Sequence, residues 1–155
     1  MSTSIASPIK SSIATFNFWR RWLVVSAGLT LLFGAVMVIA PAFIHGLFSW
    51  IIYGEPFRTR EFGNEAARYI GLIHGILGAV ITAWGAMMLA VLFTSLRQPD
   101  RHAWVLFACS LFAWFIADTT YSLLTGFWQN AVFNVLFLVL FAPGLIGTWK
   151  YCRKA

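Results

Sequence analysis

Four apolar runs dominate this chain, at about 22–41, 67–96, 103–125 and 130–151. A helix needs about 20 predominantly apolar residues to cross a hydrocarbon core of about 30 Å. Inside that core every backbone N–H and C=O must be satisfied within the structure, which leaves helices or closed barrels. Barrel strands would show segments of about 10 residues with alternating polarity, and these runs are longer and continuously apolar. The expected fold is therefore all-α, a polytopic membrane protein built as a four-transmembrane-helix bundle. Its 10% charged residues, against about 25% in soluble domains, agree. Residues 1–18 read as a flexible cytoplasmic tail, 19–151 as the transmembrane domain and 152–155 as a second tail.

The connections carry their own signals. Arg20-Arg21 precedes the first run and has the look of a twin-arginine export signal. The run is long and no small-residue cleavage site ends it, so a retained helix is expected. Pro41 closes it. Residues 42–53 are apolar but too short to span. Phe43, Leu47, Trp50 and Ile51 share one helical face, while His45 and Ser49 share the other. That pattern suits a short helix lying in the membrane interface, with His45 on a wet polar side. Residues 54–66 form a polar loop in which glutamates nearly balance arginines. Asp100 is placed to cap the third span, and Gly126 to end it. Only Phe127-Trp128-Gln129 separate it from the fourth, so these two spans should be antiparallel neighbours. Pro143-Gly144 and Gly147 predict a kink or a close contact in the fourth.

The formal charge is +6, but the cations sit at span ends. Lys10, Arg20, Arg21, Arg97, Arg101, Lys150, Arg153 and Lys154 fall on one side, against Arg58, Arg60 and Arg68 on the other. The positive-inside rule then makes both termini cytoplasmic in a bacterial inner membrane. No basic stripe interleaved with exposed aromatics is present, so nucleic acid is not an expected partner. Cys109 lies in a span and Cys152 at the chain end, which is no disulfide framework.

Within the apolar runs, the polar residues matter most. Asp118 sits in WFIADTTYSLLTG, about 10 Å inside the outer helix end at 1.5 Å per residue. His74 and Asn134 fall at similar depth. Asp118, Tyr121, Ser122 and Thr125 share a face at i, i+3, i+4 and i+7. Arg68, Gly71, His74, Gly75, Gly78, Thr82 and Gly85 form a broad stripe on the second span, and Asn130 and Asn134 share a face on the fourth. Gly71-x-x-x-Gly75 is the small-residue spacing that lets membrane helices approach closely. A carboxylate at this depth costs about 2.5–3.5 kcal/mol on insertion scales and must be paired, neutralised or wet. The expected polar cluster is Asp118, His74, Tyr121, Ser122, Asn130, Asn134 and Arg68, with Gly71, Gly75 and Gly78 as helix-packing positions. It would bridge helices, or form the polar floor of a ligand site, or handle protons. No metal is expected, because His45, His74 and His102 are scattered without paired-ligand spacing. No nucleotide, haem or hydrolase motif is present, so no cofactor is expected.

The helix plan, with Asp118-Thr119-Thr120-Tyr121-Ser122-Leu123 and Gly126 in the third span, resembles small, mostly uncharacterised bacterial four-helix membrane families such as BphX-like and DoxX-like proteins. The resemblance covers about residues 20–151 in layout and implies no settled activity. The leading expectation is a non-catalytic accessory subunit or assembly partner of a larger membrane complex, in contact with lipid and with another membrane protein or a second copy. The second is a binder or carrier of a small amphipathic molecule (a quinone, lipid or aromatic compound) at Asp118. The third is a membrane enzyme using Asp118 and His74 as acid–base groups.

Overall fold

The computed structural model describes residues 7–153. Lys154 and positions 1–6 and 155, parts of the two expected tails, lie outside the described residues. Among the described residues the fold is all helical: α1 Ser7–Ile39, α2 Pro41–Tyr53, α3 Asn64–Phe93, α4 Arg101–Leu124 and α5 Trp128–Cys152. Short 3-10 turns lie at Arg58–Phe62 and Ser95–Arg97. Four helices are long and apolar enough to cross a membrane, and α2 is the short apolar helix after the first.

The first helix begins earlier than expected. From Ser7 onward the predicted tail is part of α1, and Phe16 docks it on the bundle. Phe16 is only 3% exposed and meets Tyr151 edge-on at 5.8 Å. Pro41 does not merely stop α1. It occupies the first turn of α2, where its fixed φ suits a helix start and its missing N–H costs nothing. Gly54 ends α2 in the left-handed region at φ 75°, which a residue without Cβ adopts freely.

α1 is the central helix. It packs along α3 on one side and α5 on the other, and α5 carries α4 as an antiparallel hairpin. Of the neighbouring spans, α3 and α4 have the fewest close backbone approaches, so the backbones are loosest along that seam, which the Trp84 and Trp114 rings bridge at 5.6 Å. Glycines set the close approaches. A Cβ on Gly78 would stand 2.5 Å from Met37 Cβ and 2.8 Å from the Gly34 carbonyl, and one on Gly85 would strike the Leu31 backbone. Gly71 and Gly75 behave otherwise: an added Cβ there meets nothing within 4 Å. Of the three expected packing positions Gly78 makes a close contact, joined by Gly85, while Gly71 and Gly75 do not.

On the α1–α5 seam, Gly144 leaves room for the Leu23 side chain and Gly147 for the Trp19 ring. Pro143 lies inside α5 and has no N–H to give the preceding turn. Nearby, the Leu140 carbonyl accepts from Trp22 Nε1 at 2.8 Å and from Ser26 Oγ at 3.2 Å. The expected close contact in the fourth span is thus a fit to α1. As expected, Asp100 caps α4, accepting from the Ala103 N–H at 2.8 Å, and Gly126 turns the chain at φ 84°.

The two halves of the bundle differ. The continuous apolar core, including Leu23, Leu92, Leu111 and Phe141, fills the half nearer the termini. The other half holds α2 and the polar residues of α4 and α5. Outside, Leu72, Ile76, Leu106, Ile116, Leu136 and Ile146 are exposed, as lipid-facing positions should be.

α2 turns its polar side inward. Ser49 is 2% exposed; its hydroxyl donates to the Glu55 carbonyl at 2.8 Å and accepts from the Arg58 N–H at 3.0 Å. His45 lies half-buried against His74, with ring centroids 5.9 Å apart. Phe43 and Trp50 face outward. The polar side of α2 is satisfied by the following loop and by α3, so it does not need water, and the expected wet His45 is corrected to a packed one.

Candidate functional site

The site grows out of the α4–α5 hairpin. Gly126 and Phe127 reverse the chain within a few residues, and the Phe127 N–H bonds back to the Ser122 carbonyl at 2.8 Å. That tight return brings the first turn of α5 beside the last turns of α4. Asn130 then meets Asp118 and Ser122 directly. Its amide donates to Asp118 Oδ1 at 3.1 Å and to Ser122 Oγ at 2.8 Å. Ser122 Oγ donates to the Asp118 main-chain carbonyl at 2.7 Å and lies 3.4 Å from Oδ1. One turn along α5, Asn134 donates to Thr119 Oγ1 at 3.2 Å. Ser122 is 4% and Asn134 1% exposed.

These groups form one end of a cavity of about 130 Å³. An engineered apolar cavity of roughly 150 Å³ takes up benzene, so the space suits a single ring or its equivalent. Six aromatic side chains line it: Phe33, Phe48, Trp84, Trp114, Phe133 and Phe137. Leu77 and Ile81 complete the apolar wall, and Asp118, Asn130 and Asn134 are its polar residues. The rings brace one another. Trp114 lies 5.0 Å from Phe137 and 5.6 Å from Trp84, and Phe33 lies 6.1 Å from Phe133. Leu77 lines the cavity while 45% exposed on the outer surface. The cavity therefore reaches toward the lipid-facing side near the loose α3–α4 seam.

The expected cluster separates in two. Asp118, Ser122, Asn130 and Asn134 come together, joined by Thr119. His74 does not reach them. Its Nδ1–H donates to the Ile70 carbonyl at 2.8 Å, since a carbonyl can only accept, and its ring packs on His45 and Phe48. Phe48 stands in the cavity lining and His74 does not. Arg68 is exposed and lines a separate shallow depression with Glu65, Tyr69 and Leu72. Tyr121 is 70% exposed, so the face shared with Asp118 narrows to Ser122. Asn130 does not cap α5, which has no side-chain cap; it ties the hairpin instead.

The aromatic lining went unnoticed in the sequence, where the Phe-rich fourth span reads as packing or lipid contact. A signal was present. Trp84 and Trp114 sit deep in their spans rather than at the interfaces where membrane tryptophans concentrate. Phe133 and Phe137 follow Asn130 and Asn134 by three residues each, at helical spacing.

The chemistry open to this site is narrow. The lining contains no basic residue, cysteine or second carboxylate. Among the described residues no group of three metal-ligating side chains exists. No acid–base partner or activated nucleophile accompanies Asp118. An apolar aromatic hollow with a few convergent polar groups is the usual form of a small-molecule site. No protein-family model, curated protein or solved structure matches the chain.

Proposed function

We propose that this chain is a non-catalytic membrane protein that binds or carries a small amphipathic molecule, holding its apolar or aromatic body among Trp84, Trp114, Phe133 and Phe137 and its polar end at Asp118, Asn130 and Asn134. The observation that carries this reading is the aromatic cavity of about 130 Å³ ending on a hydrogen-bonded carboxylate. A residue kept only to tie α4 to α5 would not need a hollow beside it. Native interiors rarely leave voids larger than a water molecule without a use. An accessory-subunit role draws support from the exposed apolar faces, but any lipid-facing bundle has these. Acid–base catalysis loses support because His74 is engaged with α2 and Ile70. The excess of Lys and Arg at the end bearing the termini supports a bacterial inner membrane with both termini cytoplasmic. The cavity then lies in the outer half of the bilayer.

Native mass spectrometry of protein gently extracted from its own membrane tests this function. Wild type should carry a small added mass. Ile81→Trp, which fills the cavity, and Asp118→Asn should lose it while remaining folded. A second polypeptide at fixed stoichiometry, with no small mass, would favour the subunit role instead.

A further inference from the structure

The donors and acceptors at Asp118 are unevenly spent. Asn130 uses its amide N–H groups on Asp118 Oδ1 and Ser122 Oγ. Ser122 spends its one hydrogen on the Asp118 carbonyl. Asn134 gives one N–H to Thr119. The side-chain groups left over on Asp118, Asn130 and Asn134 are therefore mostly acceptors: the second carboxylate oxygen and the two amide oxygens, none with another hydrogen bond among the described residues. No basic side chain lines the cavity to balance the carboxylate. The rest of the lining is apolar and mostly aromatic, and includes Trp84 and Trp114, and the negative face of an indole attracts cations more than any other side-chain ring.

We infer that the polar end of the ligand is a monocation, an ammonium or alkylammonium group, that supplies the missing counter-charge of Asp118. This rests on the ligand-binding function proposed above and specifies its chemistry. An ammonium offers three donors and no acceptor, which matches a floor where free acceptors outnumber free donors. A carboxylate at membrane depth must be paired, neutralised or wet, and a cationic ligand pairs it. A quinone or another carbonyl compound presents acceptors and would face acceptors at this floor. An ammonium that reaches both the carboxylate and a tryptophan face gains from both. A short alkyl or benzyl body fits the volume available.

Protein labelled with 5-fluorotryptophan tests this, with the Trp84 and Trp114 resonances assigned from single Trp→Phe variants. Two probes of one shape are titrated: benzylammonium, which is charged, and benzyl alcohol, which is not. Wild type should bind benzylammonium roughly ten-fold more tightly, in line with a cation–π contact plus an ion pair, shifting both resonances. Asp118→Asn should weaken benzylammonium alone and bring the two probes together. Equal or tighter binding of benzyl alcohol by wild type would overturn the cation and leave the ligand-binding function standing. If neither probe moves either resonance, both fall. The comparison of probes on wild type needs no variant to fold.

Discussion

Asn130 is the residue on which the local geometry turns. It lies in the first turn of α5, and it holds Asp118 and Ser122 at once. An intramolecular hydrogen bond contributes about 0.5–1.5 kcal/mol net, and interhelical ones in membrane proteins average about 0.6. Asn130→Ala should therefore cost about 1 kcal/mol in reversible unfolding from mixed micelles. The loss should be largely absent when Asp118 and Ser122 are already alanine; full additivity would show that the bonds carry no coupling. Tyr121→Phe, at an exposed position, should leave stability unchanged. The pairing of Asp118 with Asn130 was partly legible in sequence, because a connection of three residues forces two depths to match. The expected meeting with His74 rested on depth alone. Depth says nothing of azimuth, and His74 points to α2.

Among the helices, α3 shows best where spacing misleads. Gly71-x-x-x-Gly75 has the form of a packing motif, yet the tight contact with α1 falls lower, at Gly78 and Gly85. Gly78→Ala should destabilise by about 1–3 kcal/mol, the usual cost of overpacking a fitted contact. Gly71→Ala and Gly75→Ala should change stability by less than about 0.5 kcal/mol or raise it slightly, since alanine favours helix. Thermal melts of the three variants in one detergent check this, and equal losses at all three would contradict the assigned contact. α2 carries the same lesson. Its two faces were legible, but which one turns inward was decided by the Glu55 and Arg58 backbone groups that satisfy Ser49. No periodicity contains that information.

At the scale of the molecule, the bundle was the most legible feature, because hydrocarbon tolerates few backbone arrangements. The early start of α1 was not legible, since Ser- and Thr-rich sequence has no strong period and gains its helix by docking Phe16 on Tyr151. Nor was the division into a packed half and a hollow half. Leucine and phenylalanine in a span look alike whether they face lipid, core or cavity. Reporter fusions at the two ends should both report the cytoplasm; a split result would mean an odd number of crossings.

The decisive measurement is a crystal structure grown from a lipid mesophase, using protein gently extracted from its own membrane. Electron density for a small molecule between Trp84, Trp114 and Phe133, with a polar group within hydrogen-bond distance of Asp118, is the predicted result. A cavity closed by Trp114 turning onto Asp118, with Asn130 and Ser122 unchanged, would contradict it and leave the carboxylate as a tie between two helices.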